Sequence, residues 1–242
     1  MVLISGKLAA ENVTAIGASK PTTHGDSPKI NIFAVTSKEI EKSVLDAGQA
    51  LKEQTGLESF PSKGFQIHCT LYMSQFETSK INDIKAVVAS LTKSLHSFPI
   101  QTSGLSKTKE NWLFIDLEKN SKLQEVADKI VNLLYPLRDI NQTIPDWAKA
   151  YPKKLELFEK YGSPNVFSEL QPHLTLLAKG DEGNLVKFLE KNKDRQFFGR
   201  IMGNIVGLGV GEADIYGQVE KPMAIWYFSQ ADSQNPRQQE SE

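Results

Sequence analysis

The pattern His-apolar-Thr-apolar occurs twice in this chain, as His68-Cys69-Thr70-Leu71 and as His173-Leu174-Thr175-Leu176. Both copies lie in strand-like runs. Alternation along a strand turns the His and the Thr to one face and the two apolar residues to the other. Each copy is followed by a helical pattern and then by two more strand-like runs. That order predicts an α+β fold from a duplicated unit: two similar lobes, each an antiparallel sheet with flanking helices, and a cleft between them. A lone His on a strand is usually an ordinary surface or partly buried residue. Chance recurrence of the motif among four histidines has odds of roughly one in a thousand, and His24 and His96 lie outside any motif.

Residues 1–29, rich in Gly, Ala, Ser, Thr and Pro, read as a loose arm. A single domain is expected over 30–230 and a polar, disordered tail over 231–242. The run 30–35 is the first strand. Thr36 and Glu39 form a capping box for a helix whose apolar stripe is Ile40, Val44, Leu45 and Leu51. Further strands are predicted at 65–72, 98–102, 112–117, 172–178, 197–210 and 223–228. Helices are predicted at 80–97, from a Ser121/Gln124 capping box to about Tyr135, and at 182–192. Between these, 136–166 carries four prolines with scattered Trp147, Tyr151, Phe158 and Tyr161, and reads as an insertion of a short helix and loops. Its aromatic residues either cover the cleft as a lid or pin the insertion to one lobe. The glycine-rich run 203–211 lacks the Lys-Ser/Thr of a phosphate loop and reads as a twisted or bulged strand.

Two imidazoles facing one cleft are the equipment for opening a phosphodiester. One takes a proton from the attacking oxygen, the other protonates the leaving oxygen, and both titrate near neutrality. Thr hydroxyls beside them can hold the non-bridging oxygens. The residues do not say which His does which, and the scheme calls for no metal or cofactor. A formal net charge of −1 gives no global field for a long nucleic acid or an anionic membrane, so the partner expected is a small nucleotide or short RNA. No apolar run approaches the length of a membrane span. The single cysteine, Cys69, excludes an internal disulfide, and a cytoplasmic monomer is expected. Tyr72, Lys179, Trp226 and Phe228 are candidate substrate contacts, each weighed against core packing or a solvated loop. Cys69 itself should face away from the site as a small buried hydrophobe.

The paired tetrapeptides, and the phrase Gln171-Pro172-His173-Leu174-Thr175-Leu176, resemble the two-histidine phosphoesterase superfamily, which includes the 2',5'-RNA ligase-like and cyclic-nucleotide phosphodiesterase proteins. The resemblance covers roughly 30–228, with only the two motifs specific. It implies a bilobal fold, metal-independent catalysis by His68 and His173, and phosphate contacts from Thr70 and Thr175. The function expected is hydrolysis of a 2',3'-cyclic phosphate or a 2',5' linkage. Its rivals are RNA ligation at the same site, a non-catalytic nucleotide- or RNA-binding module, and a metal-dependent hydrolase.

Overall fold

The computed structural model describes residues 27–193 and 199–229. The expected arm falls almost wholly outside the described residues, as do the tail and the start of the strand predicted from Phe197. Seven strands are described: β1 (Lys29–Thr36), β2 (Cys69–Gln75), β3 (Phe98–Lys107), β4 (Leu113–Leu117), β5 (His173–Leu177), β6 (Met202–Glu212) and β7 (Pro222–Tyr227). The helices are α1 (Lys38–Thr55), α2 (Ile81–Lys93), α3 (Ser121–Leu134), α4 (Asp146–Lys149), α5 (Pro152–Tyr161) and α6 (Glu182–Asn192).

The order of elements is the duplication read from the sequence, β2-α2-β3-β4 followed by β5-α6-β6-β7. The expected pair of separate sheets is instead one continuous antiparallel sheet in the order β1-β2-β5-β4-β3-β6-β7, with β1 also paired to β6. It has two wings, β2-β1-β6-β7 and β5-β4-β3. They are joined at Cys69↔Leu174 between β2 and β5, and from Phe98↔Ile205 to Gln101↔Met202 between β3 and β6. β2, which directly follows His68, and β5, which opens with His173, thus each sit in the wing built from the other unit's last two strands.

One face of every strand feeds a single large core, with Ile30, Ile32 and Ala34 of β1, Leu174 and Leu176 of β5, and Leu113, Ile115 and Leu117 of β4 packed with the helices. The opposite face of β1 presents Asn31, Phe33 and Val35. Phe33 and Val35 form a second small cluster with Val219 from the β6–β7 connection. β1 is therefore covered on both faces, and seven of its eight residues are buried. Gly207, Gly209 and Gly211 of β6 pair with Val35, Phe33 and Asn31. A Cβ at Gly209 would lie on the Phe33 ring, and one at Gly211 would meet Val219. The glycine run is a strand stripped of side chains where an aromatic ring and a returning loop need the space.

Several local expectations are corrected. The strand expected at 65–72 begins only at Cys69. Ser37, not Thr36, precedes α1, and its hydroxyl accepts the Asn204 N–H rather than capping the helix. Leu45 is 49% exposed, because the buried stripe of α1 runs Ile40, Val44, Ala47, Leu51. Asn120 caps α3, its side chain accepting from the N–H groups of Lys122 and Leu123, so Ser121 is the first helical residue. Gln124 reaches Asp128 and the Phe167 carbonyl instead of folding back to complete a box. The β3 strand runs on to Lys107, because its partner β4 offers a ladder as far as Leu113.

Between Phe33↔Thr70 and Ile32↔Tyr72 the β1–β2 register slips, leaving Leu71 as an extra residue. Leu71 and Tyr72 consequently both enter the core. The insertion is pinned to this strand. The Tyr72 hydroxyl donates to the Tyr161 carbonyl at 2.5 Å, Ser74 donates to the Gly162 carbonyl, and the Gln142 carboxamide bonds Ser74. Tyr161 packs against Tyr135 and Phe167, whereas Trp147 and Tyr151 stay exposed. For Gly209→Ala we expect a loss of stability of about 1–3 kcal/mol, from overpacking against Phe33. The midpoint of urea unfolding measures it, and an unchanged midpoint would mean the ring moves aside freely.

Candidate active site

The two motifs meet where the wings join. Cys69 and Leu174 are paired across β2 and β5 and face the core, so the residues flanking them face the other side. In antiparallel register, His68 stands opposite Thr175, and Thr70 opposite His173. Adjacent strands lie about 4.8 Å apart. The two histidines are diagonal neighbours across this rung, with Cα atoms roughly 7–8 Å apart and Cβ atoms somewhat closer.

Each imidazole is held in the same way. His68 Nδ1 lies 2.8 Å from the Gln66 carbonyl, and His173 Nδ1 lies 2.7 Å from the Gln171 carbonyl. A carbonyl only accepts, so Nδ1 carries the proton in both rings. Each neutral ring then presents a bare Nε2. Each also packs on a phenylalanine from the neighbouring strand: Phe33 beside His68 with centroids 5.2 Å apart, and Phe114 beside His173 at 4.1 Å. Phe33 is the strand partner of Thr70, and Phe114 of Thr175, so the two halves are related by an approximate two-fold axis.

Their surroundings break this symmetry. His68 is buried, and burial pushes its pKa down to about 4; the Gln66 carbonyl and more distant Asp214 oppose the shift, while His173 adds to it. His173 is half-buried and is also lowered by desolvation, against the Gln171 carbonyl and the carboxylate of Asp116, its partner across β4–β5. On the His68 side, Asn31 places its carboxamide nitrogen 2.9 Å from Thr70 Oγ1 and 3.2 Å from His68 Nε2. Thr175 makes no side-chain hydrogen bond among the described residues.

Of the residues singled out from sequence, His68, Thr70, His173 and Thr175 are brought together on one face. Tyr72 is not: the extra residue at Leu71 shifts the alternation, and its ring is buried in the core. Trp226 and Phe228 also point the other way, packed against the main core, because Ile225 takes the site face of β7. Lys179 does lie on the site side. Its backbone is left-handed, with φ 52°, and its ammonium sits 5.8 Å over the Tyr216 ring. Cys69 is buried with its thiol pushed up to about 12, an inert core residue as expected.

A row of rings was missed in the sequence. From His173 it runs through Phe114, Trp112 and Tyr216 to Phe60 and Phe65, with successive centroids at most 6.0 Å apart. Asn31 and Asp116 were missed as well. The glutamine two residues before each His, Gln66 and Gln171, is the repeated signal that would have extended the motif. Among the described residues no group of three or more His, Cys, Asp or Glu could hold a metal ion, and no helix is long and apolar enough to cross a membrane.

The fold is shared with the Thermus thermophilus protein TT0787, which matches over 83% of this chain and 97% of its own at 14% identity, with a TM-score of 0.52. Apo E. coli LigT matches at 10% identity over 84% of this chain and 99% of its own (TM-score 0.48), and a protein described as a phosphoesterase at 9% over 85% and 100% (TM-score 0.49). What these structures share with this chain is the fold, an antiparallel sheet flanked by helices. Residues 73–198, more than half of the chain, match the family described as "Protein of unknown function (DUF1045)", and the chain belongs to that family. The match includes the His173 motif and the 136–166 segment, and begins just after the His68 motif. No curated protein matches the sequence.

The depressed His68 pKa ties stability to pH. Between about 6.5 and about 4 the unfolded chain takes up a proton at this residue and the folded chain does not. Stability therefore falls as pH drops through that window, by about 3 kcal/mol in all from this residue. His68→Gln should flatten that part of the stability–pH curve, measured by urea unfolding from pH 4 to 7. Equal slopes in both proteins would place the His68 pKa near its ordinary value.

Proposed function

We propose that this chain is a metal-independent phosphodiesterase acting on small nucleotide or RNA-type esters, a 2',3'-cyclic phosphate or a 2',5' linkage. The observation that carries the reading is the antiparallel facing of the two His-x-Thr pairs across Cys69↔Leu174, each imidazole anchored through Nδ1 and so carrying its lone pair on Nε2. A phosphoryl group between the rings would have a proton acceptor on one side and a proton donor on the other. Water loses a proton to one Nε2 as its oxygen bonds to phosphorus. The P–O bond to the ribose breaks, and the second imidazole gives that oxygen its proton. Thr70 and Thr175 donate to the non-bridging oxygens, where charge grows in the transition state.

Trp112 and Tyr216 offer faces on which a nucleobase would stack, with the Lys179 ammonium at their edge to meet a second phosphate. With one lysine at the site and a net charge of −1, a short substrate suits the protein better than a long polyanion.

The test is turnover of 2',3'-cyclic nucleotides and 2',5'-linked dinucleotides in excess EDTA. Activity should survive the chelator. His68→Ala or His173→Ala should each lower kcat/KM by about a hundred- to ten-thousand-fold while nucleotide binding persists. Loss of activity on chelation would overturn the metal-independent scheme. Undiminished turnover in both variants would remove the histidines from the chemistry.

Substituting the wall should separate binding from chemistry. Trp112→Ala is expected to raise KM by about five- to a hundred-fold, the worth of one stacked base, with little change in kcat. A fall in kcat alone would mean that the ring only supports Phe114 and His173.

A further inference from the structure

Asn31 has no part in the pairing of the motifs, yet it is fully buried beside one of the histidines and has no counterpart beside the other. Its carboxamide nitrogen donates to Thr70 Oγ1 at 2.9 Å and to the Gly217 carbonyl at 3.0 Å, and lies 3.2 Å from His68 Nε2. Its oxygen is buried with no hydrogen-bond partner among the described residues. The side chain is thus turned to serve its N–H end at the expense of its oxygen.

The Gly217 carbonyl decides that orientation. Thr70 and His68 could each face either end of a carboxamide, because a hydroxyl and a neutral imidazole donate or accept. A main-chain carbonyl only accepts, so the NH2 group must lie on this side. With its two hydrogens turned to Gly217 and Thr70, the amide nitrogen beside His68 Nε2 has nothing with which to accept, so an Nε2–H would find no partner there and the lone-pair form of Nε2 is favoured. The Gln66 carbonyl imposes the same tautomer from the opposite edge of the ring, by holding the proton on Nδ1. Two independent carbonyls, one acting through Asn31, therefore agree on one form of His68.

His173 has only the first of these restraints. Its Nδ1 is anchored to Gln171, no donor faces its Nε2 among the described residues, and Asp116 stands beside it on β4. The other groups facing this pair are Phe33 from β1 and Asp214 from the β6–β7 connection on the His68 side, and Phe114 from β4 on the His173 side.

We infer that Asn31 is a positioning residue that divides the roles of the two histidines, holding His68 as the proton acceptor and leaving His173 to be the proton donor. This rests on the two-histidine reading above. An arriving phosphoryl anion favours the imidazolium of whichever ring can take a proton, and the Asn31 N–H group opposes it at His68. The proton that His68 removes from water then sits beside the Asn31 nitrogen, which cannot accept it. Because Asn31 donates to Thr70 Oγ1, the Thr70 hydroxyl keeps its own hydrogen for a substrate oxygen.

The test uses nitrogen-15 NMR of the imidazoles in the full chain, beside the pH profile of kcat/KM. In the wild type, His68 should show Nδ1–H with a bare Nε2 throughout pH 5–8, with or without a substrate in hand. In Asn31→Asp a carboxylate oxygen would accept from Nε2–H. His68 should then be doubly protonated at pH 6, and the acid limb of the profile should move up by about 2 pH units. Asn31→Ala, which removes the donor and adds no charge, should move the limb in the same direction by less. A destabilised but otherwise neutral packing residue would shift neither the tautomer nor the limb. An Nε2–H tautomer in the wild type, or an acid limb unmoved in both variants, would overturn the assignment. Failure to turn over any phosphodiester would instead count against the enzymatic reading, while the tautomer of His68 would still decide the role of Asn31.

Discussion

One cross-strand pair, Cys69 with Leu174, is the constraint on which the site depends. It is the single rung between β2 and β5 among the described residues, and it is apolar on both sides and fully in the core. Both His-x-Thr pairs flank it. Moving either strand by one residue would turn its His and Thr into the core and its apolar residues outward, since side chains alternate with a period of two. The register of this short contact is held less by its own hydrogen bonds than by the longer ladders on either side, β1 with β2 and β4 with β5.

Around that rung the protein is symmetrical in framework and asymmetrical in environment. Carbonyl anchor, imidazole, phenylalanine and threonine recur on both sides. What differs is depth and charge: His68 is buried beside the β6–β7 connection, and His173 is half-buried beside a carboxylate. The proposed acid–base chemistry would be poorly served by a symmetrical pair of bases, because its two halves need opposite protonation states. The connection that buries His68 finds room because β6 is stripped of side chains on that face. The glycine run thus belongs to the same device as the histidine it shelters.

Much of this was legible in the sequence. The repeated motif gave the pairing of the histidines, and apolar periodicity located the strands and the long helices, with ends misplaced by a few residues. Where the reading failed, a local irregularity was the cause. Tyr72, which follows the first motif, was a candidate contact weighed against core packing, and one extra residue at Leu71 turns it into the core. Ser37, one residue past the predicted cap of α1, leaves the helix without a side-chain cap because β6 engages its hydroxyl, and Asn120, one residue before Ser121, caps α3. Trp226 and Phe228 could not be placed on a face without knowing which side of β7 met the core. Asn31 was unreadable for another reason: its significance lies in the carbonyl of Gly217, 186 residues away along the chain.

The exchange of strands between the two units has a consequence for how the chain can be taken apart. Each wing draws on both halves of the sequence, so neither half contains a complete sheet, and neither owns a finished environment for its own histidine. The two units are not modules tethered in tandem but interlocked pieces, each the missing template for the other, so that a chain cut beside the exposed Trp147 would hold together as a clasp rather than fall into separate beads.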